Sequence, residues 1–404
     1  MEAATRELSK KINRFNILNA IRKAKLISRV EIAELTGQSR AAVTNITARL
    51  IKEKMIVEKS IETTSTRGRR RVLLSLNPEA AYVVGIKLSA FQVSFAVTDM
   101  QASVLSSLIV PVRVGKRSIE FVTNLIEEGI RHCVTEARLS MKKISGIGIG
   151  VPGLVDHEQG VALWSPLYKR ENSKLREMIQ NRFNIITHID NDANTVTLAQ
   201  QWFGEGRDVD DFIVVTIEHG IGLGIVVNGH LYRGFKGFGG EFGHFVIMPD
   251  GAPCRCGKYG CIEAYVADYR ILQSAIDACK GGKWDCDAIS HLRIEMVTER
   301  AKEGEPVLQQ IFQKAGEILG MGISGLVQIF NPEKIIIAGE GVRAGDLLFN
   351  PMRATIEKQT MPKMIEDLQI SIQQWKDTDW ARGAASMALQ EIYKSPVNRM
   401  RLVI

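Results

Sequence analysis

The spacing of apolar residues changes character at Asn77 and Pro78, and this break constrains the fold more than any other feature of the chain. Upstream, apolar side chains recur every three or four residues, as in helices with one buried face. Downstream, runs of valine, isoleucine and leucine are separated by brief polar turns, as in strands. Charge changes at the same place. Residues 1–76 hold seventeen Lys and Arg against seven Asp and Glu, a net of +10, while the whole chain is +7, which leaves −3 for residues 77–404. A basic end joined to a nearly neutral remainder is expected when a nucleic-acid module is attached to a ligand-handling body. The 404 residues suffice for two or three cores of about 100 to 200 residues each. With 45% apolar and 24% charged residues, a disordered, collagenous or coiled-coil chain is excluded. No stretch approaches the roughly 20 apolar residues of a membrane-spanning helix, and residues 1–30 lack an apolar block behind a basic start. A cytoplasmic protein without membrane insertion is expected.

Within the basic segment, Ile12, Phe15, Leu18 and Ile21 recur at helical spacing and predict a first helix. Ser28 stands three residues before Glu31, a capping box that opens a second helix carrying Ile32 and Leu35 and ending at Gly37. A third helix starts near Ser39, with Val43, Ile46 and Leu50 on its buried face. Its other face offers Arg40, Thr44, Asn45, Thr47 and Arg49, short donors and acceptors suited to a major groove. Two short strands, Met55–Lys59 and Arg71–Leu76, enclose a polar hairpin that ends in Arg67, Arg69 and Arg70, able to reach phosphates or a narrow minor groove. Residues 1–76 are therefore read as a winged helix-turn-helix that binds double-stranded DNA. A solvated basic surface is the bland alternative; capping, turn and wing argue against it together.

Beyond Pro78, Tyr82–Leu88, Gln92–Asp99 and Ser103–Val110 predict a β-meander, followed by a helix from about Ile119 to Leu139 and a glycine-alternating strand, Ile144–Gly150. Strands, helix and strand in that order imply an α/β body. Paired strands from Phe212 to Asn228 begin a second set, so two lobes with a cleft between them are expected. Their boundaries are placed at about 80–190, completed by a C-terminal helix near 380–394, and at 191–379. No short-period repeat is visible.

The second set contains the clearest chemical signal. Nine residues separate His244 from Cys254; Cys256 lies two further on and Cys261 five beyond that. One imidazole and three thiolates complete the tetrahedral shell of structural zinc, about one ion per chain. Gly257 and Gly260 free the backbone to wrap around it. A filled shell leaves no position for water, so the metal is assigned a structural role. Four unlinked side chains are the competing reading, and the spacing argues against it. Cys133, Cys279 and Cys286 lack such a context and are read as buried thiols.

The run Gly239, Gly240, Glu241, Phe242, Gly243 and His244, with the cysteines and then Ile262 and Glu263, resembles the ROK family of sugar kinases and sugar-responsive repressors. The likeness extends from about Tyr82 to Gly383, Ala384 and Ala385. With the winged helix in front, the chain is similar to the repressor branch typified by the N-acetylglucosamine and xylose repressors. The resemblance implies an actin-like (ribonuclease H-like), two-lobed α/β body and a homodimer or homotetramer. It also implies sugar contacts at Gly153, Asn191, Asp192, Glu241, His244 and Glu263, where a polyol meets fixed donors and acceptors. Asp192 matches the general base of the kinases; merely capping the helix that follows is the competing reading.

The phosphate side departs from the pattern. Family kinases carry an Asp-x-Gly-Gly-Thr loop after the first strand; here Lys87, Leu88, Ser89, Ala90 and Phe91 stand instead, so magnesium loses its anchor. The run His219 to Gly224 keeps part of a second phosphate loop, and Ile337 to Gly341 part of an adenosine-side glycine run. A sugar-responsive repressor of operator DNA, without catalytic residues, is therefore expected. An ATP-dependent sugar kinase with an appended DNA-binding head is the alternative. A regulator that answers to a sugar-transport protein is a third.

Overall fold

The computed structural model describes residues 2–61, 71–112, 117–167, 172–285, 289–374 and 377–393. The chain divides into two compact units, Met1–Asn191 with Asp377–Ile404, and Asp192–Lys376. Among the described residues no helix is long and apolar enough to cross a membrane.

The first unit opens with helices α1 (Glu2–Ala24), α2 (Arg29–Thr36) and α3 (Arg40–Lys52) and an antiparallel pair of strands, β1 (Ile56–Ile61) and β2 (Arg71–Leu76). Ile17, Leu18, Ile21, Ile32, Val43, Leu50, Ile56 and Leu74 form its core. The capping box is present: Ser28 accepts from the Glu31 backbone, and Glu31 accepts from the Ser28 backbone at 2.8 Å. Gly37 ends α2 in the left-handed region at φ 65°. Because Ser28 satisfies an otherwise unpaired donor, Ser28→Ala is expected to destabilise this unit by about 1 kcal/mol in urea titration. An unchanged midpoint would show that the cap is dispensable.

Two residues depart from the expected pattern. Leu35 is 71% exposed, and Ala33 turns inward beside Ile32 instead. Thr47 was expected on the outer face of α3, and it is fully buried. It lies four residues from Val43, one turn along the same face. Burial costs it little, since its hydroxyl donates to the Val43 carbonyl at 2.8 Å and accepts from Arg29 Nε at 3.1 Å.

The same unit continues with β3 (Tyr82–Leu88), β4 (Gln92–Thr98), β5 (Val104–Pro111), α4 (Ile119–Glu136), β6 (Ile144–Val151), β7 (Leu154–Asp156), β8 (Val161–Trp164), α5 (Leu175–Phe183) and β9 (Thr187–Asn191). Its five-stranded sheet runs β5-β4-β3-β6-β9, antiparallel through β3 and parallel beyond. Alternation along β3 sends Val84, Ile86 and Leu88 into a core shared with Val122, Ile126 and Ile130 of α4. Gly85 and Lys87 face the other way, toward the C-terminal helix Asp377–Ile392. That helix lies so near the sheet that a Cβ on Gly85 would stand 1.8 Å from the Ala381 carbonyl, and one on Gly148 1.9 Å from that of Ala384. Within the glycine alternation of Ile144–Gly150, Gly148 thus records a backbone-to-backbone contact with Ala384 and Ala385, and Gly146 faces Ala388.

The second unit comprises α6 (Asp192–Phe203), β10 (Phe212–Ile217), β11 (Ile221–Val227), β12 (His230–Tyr232), α7 (Glu263–Val266), α8 (Asp268–Lys280), α9 (Ile294–Lys302), α10 (Pro306–Phe330), β13 (Lys334–Ala338), α11 (Asp346–Gln359), α12 (Pro362–Ile365) and β14 (Gln369–Ile372). Its sheet runs β12-β11-β10-β13-β14. Numbered within each sheet, both follow the order 3-2-1-4-5, with a meander followed by two parallel strands. The chain therefore repeats a topology without repeating a sequence pattern. The long helix α10 buries Leu308, Phe312, Leu319 and Ile323 in the core below this sheet.

Candidate metal cluster, carbohydrate residues and DNA-facing helix

The loop from Phe245 to Ile262 is held by main-chain bonds before any ligand is considered. Ile247 N donates to the Gly260 carbonyl at 2.9 Å, and Cys254 N to that of Lys258 at 2.8 Å. Gly260 sits at φ +74°, and a Cβ there would lie 1.7 Å from the Met248 carbonyl, so only glycine fits. This fold brings His244, Cys254, Cys256 and Cys261 together, with all four ligand atoms within 4.8 Å of one another. His244 Nδ1 is 3.6 Å from Cys254 Sγ, and the sulfurs of Cys256 and Cys261 are 3.7 Å apart. A tetrahedron with Zn–S near 2.3 Å and Zn–N near 2.0 Å has edges of about 3.8 Å between sulfurs and about 3.5 Å from sulfur to nitrogen. The donors thus fit a zinc ion in kind, and these two separations match edges of its tetrahedron. Without a cation such crowding opposes ionisation: burial, then the neighbouring thiols, pushes Cys261 up to about 12.

The carbohydrate residues named by the family resemblance fall in both units. In the first, Asn191 Nδ2 donates to the Gly153 carbonyl at 3.1 Å. Gly153 holds φ +109°, where a Cβ would meet the Trp164 carbonyl at 2.3 Å. In the second, Asp192 opens α6, and its carboxylate accepts from the Ala193 backbone at 3.1 Å. Glu241, His244 and Glu263 lie around the cysteine loop. Glu263 is buried; Oε1 lies 4.0 Å from Cys254 Sγ and Oε2 accepts from Ile221 N at 3.4 Å. Glu241 has an exposed surface, yet its carboxyl is raised above the usual range. Protein atoms crowding it are the main cause; His244 opposes the rise, and Asp192 and Glu263 add to it. Three carboxylates and an imidazole near one another suit a neutral polyol better than an anion.

On the phosphate side, Lys87 is 5% exposed, and its ammonium lies 3.4 Å from the centre of the Trp380 ring. A cation–π contact of this kind offsets part of the cost of burying the charge. The turn after β3 is closed by Ser89, whose hydroxyl donates to the Gln92 carbonyl at 2.9 Å. The surviving glycines serve packing: a Cβ on Gly224 would lie 1.8 Å from Thr197 Oγ1, and one on Gly341 2.3 Å from Ile217 Cγ2. The adenosine-side run borders a cavity of about 940 Å³ lined by Gly339, Glu340, Arg343 and Asp346.

Ser39 caps α3, accepting from Ala42 N at 3.2 Å. Arg40, Thr44, Asn45 and Arg49 are exposed along that helix. Arg67, Arg69 and Arg70 lie outside the described residues. Cys133 is a buried thiol pushed up to about 11 by burial. Cys279, expected to be a buried thiol, is half-buried and disulfide-bonded. Cys286 lies outside the described residues.

Several contacting residues carry no signal in the sequence. Trp380 meets Lys87 from 293 positions away. Asp268 pairs with Arg343, and burial pushes the carboxyl up to about 6 although the guanidinium pulls it down. Arg255, between two cluster cysteines, reaches His219.

The ROK family profile matches residues 83–391, and a winged helix-turn-helix DNA-binding profile matches residues 10–57. The xylose repressor of Caldicellulosiruptor bescii is 32% identical over 393 residues, 96% of this chain and 98% of that protein. The N-acetylglucosamine repressor of Escherichia coli O157:H7 is 28% identical over 364 residues, 90% and 89% of the two chains. A crystal structure of a ROK family transcriptional regulator, a homologue of the E. coli MLC protein, superposes with TM-score 0.81 at 27% identity over 96% of this chain and 98% of that one. A ROK family glucokinase from Streptomyces griseus, with glucose and AMPPNP, gives TM-score 0.68 at 24% identity over 77% and 100%, a likeness of fold. The architecture is a winged helix-turn-helix followed by an actin-like α/β body. Matched by the ROK profile through most of its length and by a xylose repressor almost end to end, the chain belongs to the ROK family.

Proposed function

We infer that this protein is a sugar-responsive transcriptional repressor. The observation that carries the reading is a basic winged helix joined to a ROK body, in a chain similar over nine-tenths or more of its length to relatives named xylose repressor and N-acetylglucosamine repressor. The head binds operator DNA through α3, with Arg40, Thr44, Asn45 and Arg49 toward the bases and phosphates and Ser39 at the helix start; Arg67, Arg69 and Arg70 of the wing add phosphate contacts. Asp192, Glu241, His244 and Glu263, with Gly153 and Asn191, hold a sugar or sugar derivative. His244, Cys254, Cys256 and Cys261 would hold a zinc ion, and one ring nitrogen of His244 would remain for a hydroxyl. A bound ion would order the loop and supply no catalytic chemistry. A homodimer or homotetramer carries paired heads to half-sites one or more helical turns apart.

Sugar acts by binding the DNA-competent and DNA-incompetent states unequally. D-xylose, N-acetyl-D-glucosamine and D-glucose titrated into a complex with a selected genomic fragment test this. At least one is expected to weaken DNA binding tenfold or more, and Asp192→Asn to abolish that response. Indifference to all three would end the sugar-sensor reading. Arg40→Ala is expected to cost about 1–3 kcal/mol of DNA affinity. Equal affinity for the selected fragment would remove Arg40 from the interface.

The kinase reading is favoured by the retained Asp192 and the likeness to a glucokinase fold. Lys87 opposes it, since a buried cation replaces the acid that would hold hydrated magnesium. No ADP release is expected with these sugars and ATP; turnover abolished by Asp192→Asn would restore the enzyme.

A further inference from the structure

The turn between β10 and β11 is tied to the cysteine loop by one side chain. Arg255 Nη1 donates to His219 Nε2 at 2.6 Å, and Nη2 donates to the His219 carbonyl at 2.8 Å. Nη2 is also 3.5 Å from Glu263 Oε1, and the guanidinium carbon lies 3.8 Å from the centre of the Tyr269 ring. His219 can receive such a bond because burial, and then the Arg255 charge, lowers it to about 4, so its ring is neutral at pH 7. Glu263 closes the circuit from the other side, through Oε2 and the Ile221 backbone. Gly220 fits this closure, since a Cβ there would stand 2.9 Å from Glu263 Oε2.

A plain surface ion pair is the competing explanation. The Arg255 side chain is 44% exposed and its approach to Glu263 is long, so that contact alone contributes little. Two bonds to one residue and a ring beneath the guanidinium are a different matter, because they fix the orientation of a planar fork. Cys254 and Cys256, the neighbours of Arg255, both belong to the metal cluster. Any cation that fixes those two sulfurs therefore fixes the backbone from which Arg255 projects.

We propose that Arg255 is a positioning residue that couples metal loading to the His219 turn and to the Glu263 carboxylate. The carbohydrate consequence rests on Glu263 being a sugar contact, as inferred above; the coupling to His219 does not. In this chain the former phosphate turn is occupied from within, and the orientation of a sugar-binding acid depends on an ion that never touches sugar.

Full-length protein loaded with zinc is compared with the Arg255→Ala and Arg255→Lys variants, before and after the metal is stripped with a chelator. The His219 ring is followed by NMR and D-xylose, N-acetyl-D-glucosamine and D-glucose binding by calorimetry. In the unaltered protein, stripping shifts the His219 ring signal and weakens sugar binding. Arg255→Ala retains one metal per chain, binds the sugar about tenfold more weakly, and its His219 signal no longer follows the metal. Arg255→Lys keeps the stem and charge but not the two-armed fork, so it folds and responds only in part. A His219 signal that follows the metal in either variant as fully as in the unaltered protein overturns the proposal. If the unaltered, loaded protein binds none of the sugars, the sugar-sensor reading fails, and the His219 signal alone decides the role of Arg255.

Discussion

Replacing Cys261 with serine is expected to reduce metal content from about one ion per chain to near zero and to release the loop between His244 and Glu263. Cys261 is fully buried, and its sulfur faces Cys256 at 3.7 Å. A hydroxyl is a much poorer ligand for zinc than a thiolate, and three donors cannot close a structural shell. Apparent binding energies of about 10–16 kcal/mol in zinc-finger peptides show how much order one such ion can supply. Here the loss is local, because the loop sits on a core built from α8, α10 and the second sheet. Backbone exchange should therefore rise across residues 244–263 while Ile318 and Ile337 stay protected. Metal analysis and amide hydrogen exchange read both effects. Full metal content in Cys261→Ser, or unchanged protection of the loop, would refute the four-ligand site.

A large loss of global stability is expected at Gly148. The added Cβ of Gly148→Ala would stand 1.9 Å from the Ala384 carbonyl oxygen and 2.8 Å from its carbon, both main-chain atoms of the C-terminal helix. A clash with backbone has no rotamer escape, so the helix itself must move away from the sheet. Overpacking commonly costs about 1–3 kcal/mol and more where the backbone has to shift, which places Gly148→Ala at or above about 3 kcal/mol. Gly146 is the internal control. Its Cβ would stand 3.1 Å from the Ala388 side chain, with the nearest main-chain atom, the Ile186 carbonyl oxygen, at an ordinary 3.8 Å, and Gly146→Ala should be much milder. Urea titration of the two variants compares them directly. Equal, small losses would show that the helix does not approach the sheet this closely.

Features governed by near neighbours were legible before any fold was known. The Ser28 and Glu31 cap, the left-handed Gly37, the start of α3 at Ser39 and the strand runs from Tyr82 onward all depend on residues within a few positions of one another. The His244 and cysteine spacing belongs to the same class, since one loop supplies all four donors. Leu35 and Thr47 were misplaced because a helix of eight or thirteen residues presents a narrow face, and the angle at which it packs decides which flank is covered.

The amino-acid order by itself thus determined the helices of the head, the strand-rich body and the four candidate metal donors, because those follow from local hydrogen bonding, periodicity and spacing. Only the tertiary structure decided that Lys87 rests on Trp380, that Arg255 reaches His219, and that glycines in β3 and β6 meet alanines of the last helix. Such contacts join residues tens to hundreds of positions apart. Their partners are chosen by how layers pack, which no short stretch of the chain encodes.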